Sequence, residues 1–345
     1  MKRSLLREKI YESEKEIISS IINNNDISEL LLNHQKLIMQ TNDELDKNTN
    51  NSIMEIIEMT SEIKMDKELL ISFQFANYEL AANEINNEEF NASKNFVSDL
   101  LDCNLSRICW THLEKSVSIN SEGSLWPCGD EEHHIFTYPN DDGITSTDLL
   151  VHELGHAADY TISRGLNDDN LLAGHVLLRE SVAFYCQYTY LSQKGSKNTR
   201  LISLGGFLFT YLTILILRYC FEKKISLDNL NVSEAIKDPI FHDFISSYSH
   251  LDHTNEYGMN FISERMNAAK DRFVTLGNLV INEIAPRMGI IFGLLLLGKP
   301  METIKRLSQE NSMKKNLSSI IAEYIPEYKT SLSDISTIFR TYINN

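Results

Sequence analysis

Ser146-Thr147-Asp148-Leu149-Leu150-Val151-His152-Glu153-Leu154-Gly155-His156-Ala157 is the stretch on which the reading of this chain turns. Thr145 or Ser146 is a side-chain cap, Asp148 sits where a helix first turn favours an acid, and the pattern predicts a helix to about Ser163 that ends at Gly165. Residues four apart on a helix share a face one turn apart. His152 and His156 therefore aim their rings at one point, with Glu153 beside them, which is the geometry of a catalytic zinc site.

Two imidazoles leave zinc short of its usual protein ligands, so a third ligand has to come from further along. A third histidine six positions on is not the solution, because Asp159 and Ile162 stand where such a pattern needs glycine and histidine. Glu180 lies 24 positions after His156, enough for the helix to end and an antiparallel helix to return. Leu177, Leu178, Val182, Ala183 and Phe184 flank it, and a lone carboxylate is conspicuous on so apolar a segment. His175 competes for the place and reads otherwise as a loop or helix-start residue. The expected centre is one Zn2+ per chain on His152, His156 and Glu180, with an open position for water and Glu153 as general base. Asp159 shares the histidine face, either as acceptor of a ring N–H or as a helix-surface carboxylate. A donor for the developing oxyanion is also needed, and the segment from His250 to Tyr257 offers both a histidine and a tyrosine, or else is a polar surface loop.

Upstream of the metal helix, between about residues 107 and 142, the pattern changes. Val117-Ser118-Ile119 and Ile135-Phe136-Thr137-Tyr138 are short and β-prone, bounded by Gly123, Pro127-Cys128-Gly129 and Pro139 to Gly143, which predicts a small antiparallel sheet or hairpin. Residues 2 to 98 are helical in pattern, with turns expected at the Asn-rich runs 23–25 and 48–51. Downstream, a helix is expected over about 169–192, and the remainder is helical, with a loop at 252–256 and a helix start near Pro286. The class is mainly α with a small antiparallel β segment before the metal-binding helix. It divides into an N-terminal helical region, 1–106, and a catalytic region, 107–345, or forms one helical body around a cleft.

Composition narrows the partners. With 32 basic against 48 acidic residues the formal charge is −16, which disfavours nucleic acid and anionic membrane surfaces. Five cysteines without a C-x-x-C pair suggest neither a disulfide framework nor a cysteine zinc knuckle, and the charged start of the chain lacks the apolar run of a signal peptide. A cytoplasmic protein is the expectation. The apolar runs 202–217 and 288–298 are shorter than a bilayer requires and are read as buried core helices.

The stretch from Ile135-Phe136-Thr137-Tyr138 through Asp148 to Ala157, with the Glu180 segment and Ala285-Pro286-Arg287-Met288-Gly289-Ile290-Ile291-Phe292-Gly293, resembles the thimet oligopeptidase and oligoendopeptidase F family of zinc peptidases. The resemblance covers roughly residues 110 to 300. It implies a helical zincin-type body with a deep channel, a single zinc on His152, His156 and Glu180, Glu153 as base, and cleavage of short unstructured peptides. It also implies a late histidine and tyrosine that steady the substrate carbonyl, for which His250 and Tyr257 are the matching positions. The family often carries serine three positions after the third ligand and a glutamate a turn later; here these are Ala183 and Gln187. The functional expectation is hydrolysis of oligopeptides. The alternatives are a non-catalytic or redirected peptide-binding or immunity protein on the same fold, and a helical scaffold in which the motif is accidental.

Overall fold

The computed structural model describes residues 4–76, 85–114, 123–138, 146–251 and 253–345. Five helices come first: α1 (Leu5–Ile22), α2 (Ser28–Met39), α3 (Leu45–Glu62), α4 (Lys67–Gln74) and α5 (Asn87–Leu101). Three short strands follow, β1 (Cys109–His112), β2 (Gly123–Trp126) and β3 (His134–Thr137). Next come α6 (Thr147–Arg164), α7 (Val176–Lys194), α8 (Lys197–Lys223), α9 (Val232–Ala235), α10 (His242–Ser247) and α11 (Glu256–Arg272). The chain finishes with α12 (Leu276–Leu279), α13 (Ala285–Leu296), α14 (Met301–Glu310), α15 (Leu317–Tyr324), α16 (Tyr328–Leu332) and α17 (Ile335–Asn344). The protein is mainly helical with one small sheet.

That sheet is mixed, not the antiparallel one expected. Its order is β1-β3-β2: β2 pairs antiparallel with β3 (Leu125 opposite Ile135), whereas β1 pairs parallel with β3 (Trp110 opposite Ile135). Hydrophobic alternation reports that a segment is a strand but carries no information on its direction relative to a neighbour, so β1 was not legible as a parallel partner. Of the β-prone stretches, 117–119 lies outside the described residues; 135–138 largely coincides with β3. β2 begins at Gly123, a residue read above as a strand boundary.

The expected break at Asn23–Asn25 is present, with α1 ending at Ile22 and Asn24 left-handed at φ 55°. The break at 48–51 is absent, because α3 runs through it. Asparagine is only a mildly poor helix former, and Ser52, Ile56 and Met59 on the buried face of α3 anchor that turn by packing. The helix expected over 169–192 is divided into a 3-10 turn, Asp169–Leu172, and α7. α13 starts at Ala285, next to Pro286 as expected, but without a break in the chain before it. α12 and α13 form one continuous rod through a π turn, Val280–Ile284, that immediately precedes α13. Proline lacks an N–H and clashes with the carbonyl four residues back, and a widened turn relieves both effects.

The core of the molecule is a stack of helices that places the site. α7 lies between α6 and α13, at two contacts made close by glycine. A Cβ on Gly155 of α6 would stand 2.7 Å from the Ala183 Cα on α7; on the opposite side, Cβ atoms on Gly289 and Gly293 of α13 would stand 2.5 Å from Glu180 Cβ and 2.6 Å from Phe184 Cβ. Backbones approach this closely only where side chains are missing. A single apolar core then joins α3, α4 and α5 to α6 through α17, with Val97, Leu154, Leu178, Ile216 and Phe339 all at 0% exposure.

Among the described residues two helical stretches are long and apolar enough to span a bilayer by length and composition, Lys197–Lys223 and Leu276–Leu296. Both exceed the apolar runs read from the sequence, because the helices extend past them. Their apolar windows are 72% and 67% buried inside the protein, and so they pack against protein as core helices.

Candidate metal centre

The cap forms as the sequence implies: the Ser146 hydroxyl accepts the Leu149 N–H at 3.4 Å and α6 starts at Thr147. Thr145, the other cap candidate, lies outside the described residues. The helix ends at Arg164. Gly165 stays right-handed at φ −59°, and the left-handed residue is Asn167 at φ 53°. Near the start of α6, the Gln187 amide donates to Asp148 at 2.9 Å and ties the second half of α7 to the first turn of α6.

His152, His156 and Glu180 converge. Glu180 Oε2 lies 3.4 Å from His152 Nε2 and 3.6 Å from His156 Nε2, and the three donor atoms lie within 4.8 Å of one another. Two ligands on a tetrahedral ion with bonds of about 2.0–2.1 Å stand about 3.3–3.4 Å apart, so the carboxylate sits at ligand spacing from both imidazoles. The residues fit a metal ion of borderline character in number, type and separation. The His152 ring meets His156 edge-on at 4.8 Å between centroids, and Phe184 packs on it at 4.5 Å. Rotation of the ligand is thereby restricted by packing.

Charges in the group are strongly interdependent. Burial pushes the Glu180 carboxyl up, but His156 and then His152 more than offset it and hold Glu180 below the ordinary carboxylate range. Burial opposes a charge on His156, yet Glu180, with Glu153 and Asp159, more than offsets it and the imidazole is pushed up to about 9. Glu153 differs from its neighbour. It is raised, by burial first, with His156 and His152 offsetting only part of the effect and a hydrogen bond from the Leu125 N–H lowering it further. A carboxyl held up by burial beside a metal-ligand cluster is suited to taking and returning a proton.

Glu153 touches the sheet. A Cβ on Gly123 would meet Glu153 Cγ at 3.3 Å, so the start of β2 lies against the glutamate. Among the described residues β2 is the outer strand of the sheet on this side, and it borders a cavity of about 320 Å³ together with Glu153, His156 and Glu180. Tyr160, Val176 and Arg179 complete the lining.

Other candidates fall differently. His175 caps α7 and is engaged at both ring nitrogens, Nδ1 with Ser52 Oγ at 3.1 Å and Nε2 with the Lys315 carbonyl at 2.9 Å. Asp159 is buried, not a surface carboxylate, and its Oδ2 accepts from Arg179 Nη1 at 3.0 Å. His152 Nδ1 is buried with no hydrogen-bond partner among the described residues. His250 stacks on Phe75 at 4.6 Å and its Nδ1 lies 3.0 Å from the Ser247 carbonyl, while Tyr257 is half exposed beside Tyr248. Neither of the two lines the cavity beside Glu153. Tyr160 and Arg179, which do, were not singled out from the sequence. The signal was available in part: Tyr160 is one turn beyond His156 on the same helix, and Arg179 precedes Glu180.

No protein-family model matches the chain, and no curated protein matches it significantly.

Proposed function

We propose that the chain is a zinc-dependent peptidase acting on short oligopeptides, with zinc on His152, His156 and Glu180. One observation carries the reading: His156 and Glu180, two members of a convergent His-His-Glu donor set, border the same cavity as a buried glutamate and β2. Zinc at that position lowers the pKa of water toward neutrality and polarises a carbonyl.

The chain's own residues supply the rest. Glu153, raised by burial, takes a proton from the attacking water and returns it to the departing amine. The Leu125 N–H steadies the ionised form of Glu153 and keeps the carboxylate at the strand. Gly123, Ser124 and Leu125 of β2 border the cavity, so a bound peptide runs along this strand and past Glu153. The body is that of a helical zincin, as the resemblance to the oligopeptidases implies. All five cysteines are free, which suits a reducing, cytoplasmic setting.

The deciding experiment digests a mixed oligopeptide library with zinc-loaded wild type and with Glu153→Gln, read by mass spectrometry alongside zinc content. The expected result is cleavage by wild type and a loss of about a hundredfold or more in Glu153→Gln, with zinc retained. If both proteins bind peptides and neither cleaves, the peptidase assignment falls and a peptide-binding or immunity role takes its place.

A further inference from the structure

Arg179 is the one guanidinium or ammonium among the described residues that border the cavity beside Glu153, and it is 8% exposed. Its setting is a built one. From one side Asp159 accepts from Nη1 at 3.0 Å, and the Leu171 carbonyl accepts from Nη2 at 3.3 Å. The guanidinium carbon lies 3.9 Å from the centre of the Tyr160 ring, a cation–π contact that adds to the tether. Two of the five N–H groups are used in this way, and three donors remain on a side chain that borders the cavity. Among the described residues the other ionisable groups that border the cavity are Glu153, Glu180, His156 and Tyr160.

On the peptidase reading above, we infer that Arg179 is a specificity-determining residue that receives a carboxylate of the substrate. A tethered guanidinium pays little rotamer entropy on meeting a carboxylate and binds it through two parallel N–H donors. The cavity is at the small end for ligand sites, so the group that reaches Arg179 lies close to the bond presented to Glu153. That carboxylate belongs either to the peptide C-terminus or to an Asp or Glu side chain next to the scissile bond.

The test uses metal-loaded wild type, Arg179→Gln and Arg179→Lys on matched peptides that differ only by Glu against Gln beside the cut, or by a free against an amidated C-terminus. Wild type is expected to favour one carboxylate form by about tenfold to a hundredfold in kcat/KM, chiefly through KM. Arg179→Gln loses that preference, and Arg179→Lys keeps part of it. Sensitivity to amidation assigns the terminal carboxylate, and sensitivity to Glu against Gln assigns the side chain. Equal rates on all forms, or a preference that survives in an Arg179→Gln protein that keeps its metal, would overturn the inference and leave Arg179 as a strut between α6 and α7. Should Arg179→Gln fail to fold, the wild-type pairs and Arg179→Lys still decide. Binding of the same peptides to zinc-loaded Glu153→Gln separates the two readings: absent cleavage with selective binding of the carboxylate form removes the peptidase assignment and preserves the role of Arg179.

Discussion

At the scale of single residues the centre is a problem in proton accounting. An imidazole has to be neutral to bind a metal, yet Glu180, Glu153 and Asp159 together offset burial and push His156 up to about 9. Metal uptake at neutral pH therefore displaces a proton. The sign follows: metal affinity rises with pH through the neutral range and falls as the medium becomes acidic, by about tenfold per pH unit for one proton released. Chelator competition between pH 6 and 8 measures the slope, and a flat profile would contradict displacement of a proton from His156. Glu180→Ala is expected to cost more affinity than any change at His175, whose two ring nitrogens are engaged by Ser52 and Lys315. Histidine 175 was a competitor in the sequence because residue type and distance along the chain do not tell which hydrogen bonds a side chain finds.

At the scale of elements, α7 is held by missing side chains on both neighbours. Gly289→Ala places a methyl where Glu180 Cβ stands, and Gly293→Ala does the same at Phe184. Each is expected to destabilise by about 1–3 kcal/mol, as overpacking does. Their effects on the metal differ. Only Gly289→Ala pushes on the ligand itself, so zinc affinity should fall in that variant and remain near wild type in Gly293→Ala; equal losses would show that the helix moves as a rigid unit. The helices that carry these contacts were legible from periodicity and from the Ser146 cap, because helical hydrogen bonding and i, i+4 neighbours are local. The missed elements depend on distant partners. α3 runs through Asn48 to Asn51 because its other face is buried, and β1 lies parallel to β3 across a segment of more than twenty residues.

At the scale of the whole molecule, the first helix is fastened to the end of the metal helix by buried charge. Glu14 receives both terminal nitrogens of Arg164 at 2.9 and 2.7 Å, and Arg164 Nη1 also donates to the Gly129 carbonyl at 2.8 Å. Arg7, at 0% exposure, donates to the Arg164 carbonyl at 2.8 Å. Removing one partner leaves a buried charge without its counterion. Glu14→Leu is therefore expected to cost about 3–5 kcal/mol in urea unfolding, whereas replacing Glu14 and Arg164 together by apolar residues should cost less. A double-mutant cycle that proves additive would contradict the coupling. Metal adds a separate contribution: free zinc at a hundred times its Kd should raise stability by about 2.7 kcal/mol, seen as a higher Tm that chelator reverses and that is absent in Glu180→Ala.

The amino-acid sequence alone determined the capped helix of His152, Glu153 and His156, the choice of Glu180 as their companion, and a mainly helical body. Each of these rests on spacing within one helix or on the oddity of a charge among apolar neighbours, and both are written in consecutive residues. Only the tertiary structure decided that β2 lies against Glu153, that Asp159 serves Arg179 and not an imidazole, and that Tyr160 and Arg179 face the cavity while His250 and Tyr257 border other aromatic rings. Those are meetings between elements far apart in the chain. They are selected by close packing of three helices and a sheet, a property of the assembled core that no local pattern contains.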